Sequence, residues 1–202
     1  RNNRYWRILD NSIMAITLNG SGTVSGISAG GLPDGCIQSA DLATGVAGKV
    51  LQVKHVLKTD TFTTSSASWN DIPSLNTNIT MTNSSNKVIV LVNLCILNEA
   101  TTGSASAIQR TTSGSSSFIG IATSGYGSRQ NSGSAELYEP RNDTSKSVSY
   151  TAEDTPGAGT HNYAVMVDPN GYTLFVNRSE VDNNAADYTR GTSSLIVMEV
   201  AA

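Results

Sequence analysis

The run KVIVLVNLCILN at Lys87–Asn98 constrains this chain more than any other stretch. It is the longest apolar run in the sequence, and only Asn93 interrupts it. Val88, Ile89, Val90, Val92 and Ile96 are β-branched, which fits a pleated strand better than a helix. A continuous rather than alternating run means that both faces are covered, in the middle of a sandwich or at a subunit contact. A buried helix is the rival reading, and the β-branching weighs against it. The run is too short to span a membrane, which takes about twenty apolar residues. The expectation is therefore an all-β domain with this run as its central strand.

Composition points the same way. Hydrophobic residues are 38% of the 202 and charged residues only 14%. Ser, Thr, Asn and Gly fill the difference, and all four disfavour helices, the first three by competing for backbone hydrogen bonds and Gly through entropy. The net charge is −3, with no Lys/Arg cluster beyond residue 7. Electrostatically driven nucleic-acid binding is thus not expected of the main body. Two cysteines, Cys36 and Cys95, make no disulfide framework and read as buried free thiols.

Three regions follow in order. Residues 1–13, with Arg1, Arg4 and Arg7, read either as a leader before a natural start at Met14 or as a segment docking through Tyr5, Trp6 and Ile8. Residues 14–48 carry Ile16, Leu18, Val24 and Ile27 between glycines and serines. Apolar positions so spaced build no core of their own, and suit a thin attachment and oligomerisation segment that several chains wind together. Pro33-Asp34-Gly35 is a turn, and Ser39 caps a short helical turn over 40–43.

From residue 49 to 202, strands alternate with turn clusters. Strands are expected at 50–58, 59–64, around Leu75, Ile79 and Met81, at 87–98, 108–112, 118–121, 145–152, 161–167, 172–176 and 194–200. Trp69–Pro73 reads as a turn, Asn83–Asn86 as a hairpin-like break, and Asp168-Pro-Asn-Gly171 as a hairpin joining its two neighbours. Residues 99–107 read as a loop, and 122–135 and 177–192 as long polar loops. The fold class expected is an antiparallel β-sandwich, with the last strand lying centrally.

No catalytic constellation rises above background. His55 and His161 lack metal-ligand spacing, so no metal and no cofactor is expected. Glu136, Glu139, Asp143, Glu153 and Asp154 read as solvated loop charges interleaved with Arg141 and Lys146 rather than as a glycosidase pair. The informative residues are loop aromatics and arginines: Trp69, Tyr138, Tyr126 with Arg129, and Tyr188 with Arg190. Tyr and Arg are hot-spot types, and Tyr also stacks on sugar faces. Tyr126, Arg129, Tyr188 and Arg190 are therefore the candidate receptor-binding residues. Trp69 reads instead as a lid on its own sandwich. Asp182-Asn-Asn-Ala-Ala-Asp187 offers calcium-type oxygens without the spacing of a calcium loop.

The segments MAITLNGSGTVSGI, GGLPDGCIQSADLATGVAGKVLQV, KVIVLVNL and TRGTSSLIVMEVAA resemble, as a set, fibre-type virion structural proteins of phages that infect cyanobacteria and other aquatic bacteria. The resemblance covers about residues 14–202. It implies a homotrimer on the virion surface, with a thin N-terminal part attached to other virion proteins. The C-terminal domain it implies is a jelly-roll-like head of the tumour necrosis factor type, facing outward toward a host-surface glycan or protein. It supplies no catalytic residues; the charge and the length of the apolar run already argue against a nucleic-acid partner and membrane insertion. A capsid-decorating or fibre-connecting protein without a receptor is the alternative role.

Overall fold

The structure, a computed structural model, describes residues 17–18, 24–25, 49–99, 103–123, 130–135 and 143–202. The chain divides into two compact units after Ala47. In the first part the described residues form one short antiparallel ladder, β1 (Thr17–Leu18) with β2 (Val24–Ser25), which sets Leu18 opposite Val24. Ile16, Ile27, Cys36, the leader, the Pro33 turn and the helical turn lie outside the described residues.

The second part, Gly48–Ala202, carries β3 (Val50–Lys58), β4 (Phe62–Thr64), β5 (Asn70–Met81), β6 (Lys87–Asn98), β7 (Ala105–Thr112), β8 (Ser115–Ile119), β9 (Ser134–Ala135), β10 (Lys146–Asp154), β11 (Gly159–Asp168), β12 (Leu174–Val176) and β13 (Ser193–Val200). In the first sheet β10 flanks one side of β6, while β13 and β12 share the other side; β3 lies beyond β13 and β4 beyond β12. The second sheet runs β5, β11, β7, with β8 and β9 sharing the far flank of β7. All pairings are antiparallel. Apart from the β7–β8–β9 stretch, the chain changes sheet at each step from β5 to β12, which makes the domain a jelly-roll-like sandwich.

Side-chain alternation explains the core. Val88, Val90, Val92, Leu94 and Ile96 of β6 and Leu195 and Val197 of β13 meet Ile79, Ile108, Tyr163, Val165 and Val167 of the second sheet in one buried cluster. The final strand lies between β3 and β6, as its apolar run requires. The outer face of β6 divides in two. From Leu94 on, consecutive residues are buried; before it, Ile89 and Leu91 are partly exposed and Asn93 is exposed. The expectation of two covered faces thus holds for the second half of the run alone.

Several local expectations are corrected. Residues 70–73 are not a turn but the start of β5. Pro73 is accommodated because β5 is an edge strand, and the register slips between Asp71 and Asn76 around Ser74 at φ 64°. This bulge lets Ile72 and Leu75, three apart, both reach the core. Asn83–Asn86 and Asp168–Gly171 are not hairpins, because each joins strands of different sheets. The second keeps its turn chemistry, with Asn170 at φ 55°, Gly171 at φ 82°, and the Tyr172 N–H donating to the Pro169 carbonyl at 3.1 Å. The hairpin lies instead at Ser113-Gly114, both in the left-handed region, between β7 and β8. β7 also begins at Ala105, inside the expected loop 99–107.

Candidate functional site

The strand registers place the bases of the two long loops in one half of the sandwich. Ile119, at the end of β8, pairs with Ile108, and Ala105 of the same strand as Ile108 pairs with Asp168. β12 runs inward from Leu174, beside Asn98, to Val176, beside Ile96, and β13 resumes at Ser194, beside Asn93, so loop 177–192 leaves from the flank of β6 between them. Val50, Val200, Lys87 and Asp154 lie at the far end of the other half, so the chain enters the domain away from the loop bases.

Loop 177–192 is fastened from below. Asn177, buried and at φ 62°, donates through Nδ2 to the carbonyls of Lys58 (3.0 Å) and Asp60 (2.8 Å). Its Oδ1 accepts from Ser193 Oγ at 2.7 Å, and its N–H donates to the Cys95 carbonyl at 2.8 Å. The Gly191 N–H returns to the Asn177 carbonyl at 3.2 Å and closes the loop base. Arg178 lies 5.1 Å above the centre of the Phe175 ring and donates to the carbonyls of Ser179 and Glu180. These bonds use backbone groups that a loop without regular structure would otherwise leave unpaired.

Above this base, Arg190 grips Asp182 with Nε on Oδ1 at 3.2 Å and Nη2 on Oδ2 at 2.6 Å. Arg178 Nε is 3.8 Å from the same carboxylate. The bond from Arg190 holds the Asp182 carboxyl below the ordinary carboxylate range, against the opposing effect of burial. Two turn bonds, Ala185 N–H to Asn183 O (2.8 Å) and Tyr188 N–H to Ala185 O (3.1 Å), curl the apex. Asp182, Asn183, Asn184, Ala185, Tyr188 and Arg190 then line a concavity of about 500 Å³.

The structure brings together two of the four candidate residues, Tyr188 and Arg190, at one concavity, while Tyr126 and Arg129 lie outside the described residues. Around the latter pair the loop is secured by Ala122 N–H to Ser132 O, Gly133 N–H to Ser106 O, and Gln130 Nε2 to Asp168. Asp182 is not a calcium ligand in waiting, since its charge is already met by guanidinium. Sequence reasoning missed this role, because nothing in an aperiodic loop brings residues eight apart together. Trp69 does fold back, its ring centre 4.8 Å from that of Phe118.

The chemistry of the concavity is hydrogen bonding and stacking. Of the residues lining the concavity only Asp182 and Arg190 are charged, and they pair with each other, so no strong field of one sign forms there. Arg190 spends two N–H groups on Asp182 and its side chain is 63% exposed, which leaves donors for a ligand. The Asn183 and Asn184 amides both donate and accept, and Tyr188 supplies an aromatic face.

Elsewhere the titratable groups are structural. His55 is exposed on β3, and His161 is buried on β11, bonded to Thr112 Oγ1 at 2.7 Å. Glu153 and Asp154 are not loop charges: both belong to β10. Glu153 pairs with Lys87 at 2.7 Å, and Asp154 takes two bonds from Arg110 and one from the Tyr163 hydroxyl. Burial, then the Asp154 contact, raises the Tyr163 phenol above its ordinary value. Among the described residues no group of three or more His, Cys, Asp or Glu is placed to hold a metal ion, and no helix is long and apolar enough to cross a membrane.

Compared with known protein families and with curated proteins, the chain has no match in either.

Proposed function

We propose that the protein is a non-enzymatic structural protein of a phage particle, in which several copies, three by the resemblance above, present the sandwich as an outward head. Residues 14–48 attach it to other virion proteins, and the head recognises a host-surface glycan or protein. The observation that carries this reading is the position of the Asp182–Arg190–Tyr188 concavity, on a loop whose base lies in the half of the domain away from the point of chain entry. A head tethered at one end meets its target away from the tether. The charge-balanced, amide-rich lining favours a neutral saccharide over an acidic one, with the C–H face of the ring on Tyr188 and hydroxyls on Asn183, Asn184 and the free Arg190 N–H groups. Each contact is weak, and repetition over several copies raises avidity.

Binding of the full chain to an array of neutral and acidic host-surface saccharides tests the proposal. The expected result is retention on neutral glycans that Tyr188→Ala reduces at least about tenfold, the scale of one stacked ring. Binding that is absent, or indifferent to Tyr188→Ala, would leave a capsid-decorating or fibre-connecting protein without a receptor.

A further inference from the structure

The outer face of the first sheet is apolar where an isolated domain would be polar. Of the five large hydrophobic residues most exposed among those described, four lie on the edge strand β3: Val50 (51%), Leu51 (46%), Val53 (53%) and Leu57 (53%). Val56, one step out of phase with Val53 and Leu57, packs on the core, so those two point away from it. Register carries the patch inward. Met198 lies beside Val53 and Ile196 beside His55 on β13; Ile89 and Leu91 of β6 follow next to them, and all four are partly exposed. Leu51 falls in the bulge between the Val50 and Gln52 pairings. The result is one continuous three-strand surface of aliphatic side chains.

We propose that this face is covered by a second copy of the same chain. Size supports an interface: four residues about half exposed and four partly exposed give a few hundred Å² of contiguous apolar surface, at the upper limit for an isolated monomer. With a polar rim it approaches the roughly 800 Å² per partner of a stable interface. Charge supports a copy rather than an unlike partner. Among the outward positions on β3, β13 and the first half of β6, only His55 and Lys87 titrate, and Lys87 is already paired with Glu153 at the rim. Two such faces meet without burying an unpaired ion, whereas a charged partner loses solvation with nothing here to compensate it. The edge strand is compatible with this: its nine residues include no proline, and apart from the bulge at Leu51 its one exposed lysine, Lys54, alternates with the outward-facing Val53 and His55. The inference rests on the multi-copy reading above and gives it a surface.

The test is the mass of the full chain in solution by light scattering over a wide range of concentrations, for the wild type, Val53→Lys and Leu57→Lys. Both replaced residues are half exposed, so folding is expected to survive. Thermal melts check this, and Val53→Thr, close to isosteric, serves if a lysine variant does not fold. The expected result is a multimeric wild type and a dissociation constant raised at least about a hundredfold by either lysine, since each copy then buries an unpaired ammonium. A multimer that both variants leave intact overturns the face and spares the multi-copy reading. A wild type that is monomeric throughout overturns both, and the Tyr188-dependent binding is read separately.

Discussion

Glu199 gives the sharpest test of how the sandwich is held closed. It lies in the last strand, is fully buried, and accepts four hydrogen bonds: the Thr82 N–H at 2.8 Å, Thr82 Oγ1 at 2.8 Å, Asn86 Nδ2 at 2.7 Å and Gln52 Nε2 at 2.6 Å. Burial alone would raise its pKa, but the bonds from Asn86, Gln52 and Thr82 outweigh it and bring the carboxyl from 4.5 to about 2. At about 1.36 kcal/mol for each tenfold change in proton affinity, the ionised group contributes about 3 kcal/mol at neutral pH. Because the folded value lies below the unfolded one, this stability is present above about pH 4.5 and is lost as the pH falls toward 2. Glu199→Gln removes the charge and sets its own amide N–H₂ against that of Gln52, leaving a buried donor poorly matched. In urea unfolding at fixed protein concentration, the variant is expected to be about 3 kcal/mol less stable at pH 7. The gap narrows to roughly half that at pH 3, as protons fill the unfolded carboxyl. A gap that stays constant from pH 7 to pH 3, or one below about 1 kcal/mol at pH 7, would refute the account.

Two glycines test close approaches. Gly120 has φ +61°, and a Cβ there would stand 2.4 Å from the Ala152 Cβ. Gly120→Ala is expected to cost about 2–4 kcal/mol in chemical unfolding, part from the left-handed backbone and part from overpacking. Ala152→Gly in the same chain should recover the packing part only, and a loss below about 1 kcal/mol would show that the β8–β10 approach is looser than described. At Gly191 a Cβ would fall 2.3 Å from Cys95 Sγ, so Gly191→Ala is expected to lower stability by about 1–3 kcal/mol and to weaken saccharide binding by displacing neighbouring Arg190. Adding Cys95→Ala removes the Sγ overlap but leaves the residue-95 Cβ at 2.9 Å, so it should restore only part of both, and Cys95→Gly should restore more.

The strands were legible and their partners were not. β-branched runs such as those of β6, β11 and β13 announce themselves because pleated backbone and apolar burial ask for the same residues. Pairing depends on what the following segment buries. Asp168–Gly171 is a sound local turn, yet Leu174, Phe175 and Val176 are buried on both faces and belong beside the end of β6, so the chain crosses to the other sheet. The Ser113-Gly114 hairpin escaped notice because its flanks, Thr111-Thr112 and Ser115-Ser116, are polar on both strands and show no alternation. At the candidate site, Tyr188 and Arg190 stood out by residue type. Asp182 did not, because a loop has no period to bring residues 182 and 190 together, and only the base bonds of Asn177 fix that geometry.

Under the proposed function, those base bonds also explain how one loop would serve recognition without endangering the fold. The buried groups that hold loop 177–192, namely Asn177, Ser193 and the backbone of Cys95, all lie beneath it and belong to, or border, the core strands. The residues that line the concavity lie above, and Asn183, Asn184, Ala185 and Arg190 are exposed. Substitution at an exposed position typically changes stability by less than about 0.5 kcal/mol, whereas loss of a buried hydrogen-bonded partner costs several times as much. The exposed apex and the residues that hold the fold are therefore different residues of the same sixteen-residue segment. The apex is free to vary, as the proposed recognition role would require, and the requirement for a closed base falls on Asn177, which must be left-handed, buried and amide-bearing at once.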